Sequence, residues 1–297
     1  MLAKIKHLLP LILVAAAAIL FSFNDLVFKH LTKLNISWWD FLVFGVPVEI
    51  ILIIFFAGYI NNFNKKRWIE ELIPNSYFFP LLRGGLAIIA IAFIFLSLKN
   101  LPLSTTTMLV QTTPIWMAMV VYFFKDEKPD KFVIISILLC FIGVVLIVKP
   151  NAGLFSLFLL APLVVAIMNS IMNFIITKFS DDASPLSYAL WLFISNGIIG
   201  LLIWIYVGIK IPNIQQLLWI FLGGFLGASA FICLTYGLSI AKGNFARTGV
   251  MSYIQIPCAI LLGAIFYGER PELTAYLGTV LIFLAGIVVI YKAKINN

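Results

Sequence analysis

The sequence is poor in charge, histidine and cysteine. Asp, Glu, Lys and Arg together make up 11% of the 297 residues, while 63% are hydrophobic, and a soluble domain would be about a quarter charged and about half apolar. That ratio excludes a water-soluble globule. The three cysteines, Cys140, Cys233 and Cys258, all sit in apolar runs without CxxC spacing, so they read as small buried hydrophobes rather than a disulfide framework or a metal site. With His7 and His30 as the only histidines, no HExxH motif exists; GxSxG and Walker-type GK[ST] are absent too, and Asp181-Asp182 continues into Ala-Ser-Pro instead of completing DDxxD. No metal, no cofactor and no enzymatic activity are expected from these absences.

What the chain has is apolar length. Its mean hydropathy is +1.10, and at about 20 residues per helical crossing it has room for about ten spans. Runs bounded by charges, Pro, Gly and Asn fall at about 8–30, 38–61, 76–98, 101–124, 131–149, 154–178, 186–208, 215–238, 244–267 and 272–291. The expected fold is an all-α integral membrane protein of ten transmembrane helices. Lys4 and Lys6 ahead of an apolar run imitate a signal peptide, but the run continues past Leu20 and carries polar residues that recur later, so it reads as the first span.

The net charge of +8 fits an excess of cations in cytoplasmic loops, so nucleic acid is not an expected partner. With the N-terminus inside, 14 of the 20 cations fall on the inner side, leaving Lys29, Lys33, Lys99, Lys149, Lys210 and Arg270 outside. Both termini are then cytoplasmic. The setting is the cell inner membrane, as a multi-pass protein. The expected partners are the lipid bilayer and a small-molecule substrate, with a homodimer left open.

A shift of 143 residues superimposes Lys99 on Lys242, Pro114 on Pro257, Gly143 on Gly286 and Lys149 on Lys292. Gly-Val-Val-Leu-Ile-Val-Lys at 143–149 matches Gly-Ile-Val-Val-Ile-Tyr-Lys at 286–292, and Glu127-Lys-Pro129 matches Glu269-Arg-Pro271 one residue out of register. Each half, 11–149 and 154–291, would hold five spans. An odd number inverts the second copy, the arrangement of many secondary transporters, whose substrate sites lie near the midplane where the repeats meet.

These residues resemble a known family. Ten spans in two repeats, Pro in the fourth and ninth spans, Phe123-Phe-Lys-Asp-Glu-Lys-Pro129 followed by Gly143, and Phe266-Tyr-Gly-Glu-Arg-Pro271 followed by Gly278 and Gly286 resemble the EamA family of the drug/metabolite transporter superfamily. The resemblance covers about 11 to 291 and implies two EamA-like five-helix repeats and a transport function. Asn24-Asp25 with Lys29, Leu82-Arg83-Gly84 and the Thr-rich start of the fourth span resemble the family's bacterial S-adenosylmethionine carriers. Those carriers have an Arg-Tyr-Leu-Glu string in the ninth span, where this chain has Ser252-Tyr253-Ile254-Gln255. The neutral Gln255 removes the charge a cationic substrate of that kind would need.

Polar groups inside hydrocarbon are costly and mark candidate site residues. In the first span, Asn24 is a candidate contact, and Asp25 and Lys29 are spaced either to form an i,i+4 ion pair or to make Asp25 a proton or ammonium site. Asn169, Asn173 and Thr177 form a polar stripe on the sixth. Gln111 and Trp116 flank Pro114 where the fourth span is expected to bend. Ser252, Tyr253 and Gln255 precede Pro257 in the matching position of the ninth, with Tyr236 on the eighth. Glu49, after Pro47 in the second span, is expected to be neutral, to carry protons, or to pair with Arg83. Gly84-Gly85, Gly223-Gly224 and Gly227 read as helix packing points, and Trp38-Trp39 as interfacial anchors.

The function expected is a secondary active transporter for a small polar metabolite of amino acid, nucleoside or S-adenosylmethionine type, working by alternating access with proton coupling or exchange. The competing classes are an intramembrane enzyme and a channel-like or lipid-handling protein.

Overall fold

The computed structural model describes residues 2–113, 115–116, 119–120, 131–148, 157–179, 181–240 and 250–293. Every regular element among them is helical. In chain order these are α1 (Leu2–Lys33), α2 (Trp38–Phe44), α3 (Val46–Ile60), α4 (Lys65–Leu72), α5 (Phe78–Asn100), α6 (Leu103–Val110), α7 (Lys131–Val148), α8 (Leu160–Lys178, entered through a 3-10 turn at Leu157–Leu159), α9 (Pro185–Val207), α10 (Ile214–Ile240), a 3-10 segment at Val250–Ile254, α11 (Gln255–Tyr267) and α12 (Leu273–Ala293).

Helix lies within all ten expected segments. Among the described residues, five helices are by themselves long and apolar enough to cross a membrane: Leu9–Lys33, Phe78–Asn100, Leu157–Ile176, Pro185–Val207 and Ile214–Gly237. A sixth crossing arises if α2 and α3, bent by 42° at Gly45, act as one. Outward side chains on these helices and on α7 and α11, such as Ile51, Phe55, Phe141, Leu202 and Ile265, are exposed and apolar, as a lipid-facing surface requires. Trp38 and Trp39 meet edge to face at the start of α2.

Between the expected second and third spans, 38–61 and 76–98, lies α4. The Asn64 side chain caps it by accepting from the Arg67 N–H at 3.3 Å, and Trp68 donates from Nε1 to the Ile54 carbonyl at 2.9 Å. With charge on one face and Trp68, Ile69 and Leu72 on the other, the segment can fold against α3 without entering the core.

Helices from the two ends of the chain interleave. α1 packs along α10, α5 lies against α8 and α9, α6 touches α11, and α7 pairs with α12. In the main core Phe28 of α1 meets Phe41 of α2 edge to face and Phe95 of α5 at a tilt, with ring centroids 4.7 and 4.9 Å away. At the α7–α12 crossing, Gly143 and Gly278 face each other so closely that a Cβ on either would lie 2.7 or 2.5 Å from the other's carbonyl oxygen. Small residues at such crossings let backbones approach where no hydrophobic force drives helices together. Gly84 fits against Ser195 and Gly224 against the Gly45 carbonyl in the same way, whereas Gly85 faces open space.

Candidate functional site

The fourth segment is interrupted where a bend is expected, and the ninth changes helix type ahead of its proline. α6 stops at Val110, and the Gln111 and Thr112 backbones turn before helix resumes around Ile115. Pro114, itself outside the described residues, has no N–H to offer the Val110 carbonyl; the Thr113 hydroxyl donates to that oxygen instead, at 2.6 Å. Thr112 donates likewise to Leu109 O at 2.7 Å. On the other side of the site, the 3-10 segment at Val250–Ile254 gives way to α11 at Gln255, placing Pro257 in the first turn, where a helix needs no N–H. A glutamine therefore stands at each of these two transitions.

These glutamines meet. Gln111 Nε2 donates to Gln255 Oε1 at 2.6 Å and to the Ser252 carbonyl at 3.2 Å. Gln255 Nε2 donates in turn to Asp25 Oδ2 on α1 at 2.9 Å. Ser22, one turn earlier on α1, donates to the Gln255 carbonyl at 3.2 Å. The result is one chain of hydrogen bonds from α6 through α11 to α1. Asp25 Oδ1 takes no hydrogen bond among the described residues, and the side chain is only half-buried. An ionised carboxylate only accepts, so it dictates which end each amide presents along the chain.

Other expected site residues have different surroundings. Asn24 is buried and donates to the Gly223 carbonyl at 2.7 Å, so it ties α1 to α10 instead of lining an opening. Trp116 is half-buried and donates from Nε1 to Thr112 Oγ1 at 3.1 Å. Tyr253 is buried edge-on to Phe283, and Tyr236 packs edge-on to Phe56. Asn169 and Asn173 are half-buried on α8 with no hydrogen bond among the described residues. The Thr177 side chain lies outside the described residues.

Of the alternatives open for Asp25 and Glu49, the two ion pairs do not form. Arg83, 2% exposed, does not pair with Glu49. It donates to the Tyr188 carbonyl at 3.1 Å and lies 5.8 Å from the Phe231 ring, because Gly84 seats that face of α5 against α9. Glu49, 4% exposed, instead faces the notch at Gly227 of α10, where a Cβ would lie 2.7 Å from Glu49 Oε1. It has no hydrogen bond or ion pair among the described residues. Lys29 likewise does not pair with Asp25. It reaches along α1 to Glu269 and donates to the Leu101 carbonyl at 3.1 Å.

Glu269 was visible in the sequence only as part of a repeated string. In the structure its carboxylate also accepts from Leu103 N at 2.7 Å, Ser104 N at 3.1 Å and Ser104 Oγ at 3.0 Å. Gly268 makes this geometry possible: at φ +64° it ends α11 in the left-handed conformation, with its N–H on Ala264 O and the Glu269 N–H on Gly263 O. Gly263 leaves room for the carboxylate, since a Cβ there would lie 2.5 Å from Glu269 Oε2. Burial alone would raise the Glu269 carboxyl, but the Lys29 ammonium and the Leu103 and Ser104 N–H groups outweigh it and hold it below the usual 4.5. The latch joins the end of α1, the start of α6 and the α11–α12 loop. A lysine eight-tenths of the way along an apolar helix was the available signal, because such a charge needs an acid at the same end of the bundle.

Among the described residues no three His, Cys, Asp or Glu side chains cluster as metal ligands. The model of the EamA-like transporter family matches residues 5–149 and again 155–291. Two proteins from different strains of Helicobacter pylori, each named an uncharacterized transporter, are 26% identical over 227 residues, covering 74% of this chain and 74% of theirs. A crystal structure with 16% sequence identity superimposes with a TM-score of 0.58 over 98% of this chain and 97% of that one, which is a likeness of fold alone. Taken with the apolar helices, the double match means that the chain belongs to the EamA-like transporter family of multi-pass membrane proteins.

Proposed function

We propose that the protein is a secondary active transporter that carries a small polar metabolite of amino acid, nucleoside or S-adenosylmethionine type across the cell inner membrane. It works by alternating access between two inverted five-helix halves, 11–149 and 154–291, with ten spans and both termini in the cytoplasm. The observation that carries this reading is the meeting of the α6 interruption and the 3-10-to-α transition ahead of α11, one from each half, through Gln111 and Gln255, with Asp25 at the end of the chain. Broken helices near the junction of inverted repeats expose polar backbone and side chains where a solute can bind.

The order of donors supplies a mechanism. With Asp25 ionised, Gln255 turns its amide N–H to the carboxylate and its oxygen to Gln111, and Gln111 keeps its bond to Ser252 O. A proton on Asp25 Oδ2 makes that oxygen a donor. Gln255 then turns its oxygen to Asp25 and its N–H to Gln111, and Gln111 must present its own oxygen, giving up Ser252 O. One proton on α1 is thereby felt at both places. Glu49, buried and without a hydrogen-bond or ion-pair partner among the described residues, is the second proton-carrying candidate.

A thermal-shift screen against amino acids, nucleosides and S-adenosylmethionine identifies the substrate. Uptake into liposomes then tests the coupling: Asp25→Asn or Glu49→Gln should abolish uptake driven by a pH gradient and spare exchange. Unchanged gradient-driven uptake in both variants removes these residues from the mechanism.

A further inference from the structure

Six cations fall on the side away from the positive bias, and three of them converge. Lys29, Lys33 and Lys99 line one cavity of about 470 Å³ together with Asn35, Tyr267 and Glu269, at the end of the bundle where α1 and α5 finish. The size suits a small solute. Glu269 answers only Lys29. Among the described residues the other ion pair is Lys66–Glu70 on α4, so neither Lys33 nor Lys99 has a carboxylate partner. Lys33 sits 3.9 Å over the Tyr267 ring, and Lys99 is exposed.

Each lysine taken singly has a simple account, since Lys33 and Lys99 lie in the last turns of α1 and α5, where a cation complements the helix dipole. That account does not explain why two such ends bring unneutralised ammonium groups to the rim of the same recess. Like charges brought together repel, and a recess lined by one sign concentrates the field and draws in ions of the other. The donor set already accommodates a carboxylate: Lys29, two backbone N–H groups and the Ser104 hydroxyl hold that of Glu269.

We propose that this cavity is a binding site for a small soluble oxyanion, a carboxylate or phosphate group, held by Lys33 and Lys99 beside the Lys29–Glu269 latch. Thr32, Asn35 and Asn100 supply further polar lining, and Leu98, Leu101 and Pro102 the apolar remainder. The inference does not depend on the direction or mode of transport, so it stands or falls separately from them.

Lysine footprinting of the purified full chain tests it. The protein, in detergent and in phosphatidylcholine nanodiscs, is pulsed with an amine-reactive reagent in succinate, in inorganic phosphate, or in potassium chloride of equal ionic strength. Labelling is then read by peptide mass spectrometry. Succinate or phosphate should lower labelling of Lys33 and Lys99 at least about threefold relative to chloride, and leave Lys65 and Lys66 on α4 unchanged. Whichever anion protects identifies the group. In Lys99→Gln, with its melting temperature retained, protection of Lys33 should weaken, whereas Lys65→Gln should leave it intact. Equal change at all four lysines would mean ionic screening, and no protection beyond chloride would leave only helix-end lysines. Nanodiscs containing phosphatidylglycerol that protect fully, with succinate adding nothing, would assign the site to a lipid headgroup. Any of these three results overturns the proposal.

Discussion

Replacing Glu269 by alanine strips four donors of their acceptor at once: Lys29 Nζ, the N–H groups of Leu103 and Ser104, and the Ser104 hydroxyl. Removing one partner of a buried pair costs about 3–5 kcal/mol, because the remaining charge is left uncompensated. The adjoining cavity lets water reach Lys29, so the low end applies, about 3 kcal/mol, which is more than a hundredfold in the folding equilibrium. Lys29→Met should cost about as much, by leaving Glu269 with only its neutral donors. The double variant Lys29→Met/Glu269→Met places apolar groups where both charges stood and should recover much of the loss. Unfolding equilibria in mixed micelles for the wild type, both single variants and the double variant give the coupling energy directly. A coupling of at least about 2 kcal/mol is expected; single-variant losses under about 1 kcal/mol with no coupling are the behaviour of a solvated surface pair and would refute the latch.

The pH dependence of the same latch has a definite sign. Because the folded state holds the Glu269 carboxyl below 4.5, its contribution is complete above that value and is lost as pH falls through the lower folded one. The melting-temperature advantage of the wild type over Glu269→Gln should stay flat down to about pH 5 and shrink below it; an advantage that grows on acidification contradicts the assignment. Gly143→Ala should destabilise by about 1–3 kcal/mol, since its Cβ meets a backbone oxygen that cannot yield. Gly85→Ala, facing open space, should be neutral or gain up to about 1 kcal/mol in the same melting assay. Gln255→Leu leaves Asp25 and Gln111 without their shared partner and should weaken substrate binding by isothermal titration more than it lowers the melting temperature; equal binding would take the amide chain out of the site.

The helices were legible because apolar runs and their punctuation are local properties. The interruption after α6 and the change of helix type ahead of α11 were too, since Pro114 and Pro257 announce irregular backbone, and Gln111 and Gln255 stand beside them. Their partners required packing. An acid four residues before a lysine satisfies a helix rule, so Asp25 and Lys29 read as a pair; tertiary contact instead gave Lys29 to Glu269 and Asp25 to Gln255. Glu49 and Arg83 likewise read as mutual partners by charge alone. Their helices turn them toward Gly227 and Tyr188, a choice made by glycine notches that carry no charge signal. The repeat aligned Gly143 with Gly286, but the crossing contact is with Gly278, because sequence register between copies does not state where two helices cross.

Counterflow in proteoliposomes tests the central claim most directly. Vesicles loaded with unlabelled substrate, identified by the thermal-shift screen, are diluted into a trace of labelled substrate. Alternating access predicts a transient, saturable accumulation of label inside that Gln111→Leu and Gln255→Leu diminish. Folded wild-type protein that gives no accumulation, or gives a flux that never saturates, would contradict the account.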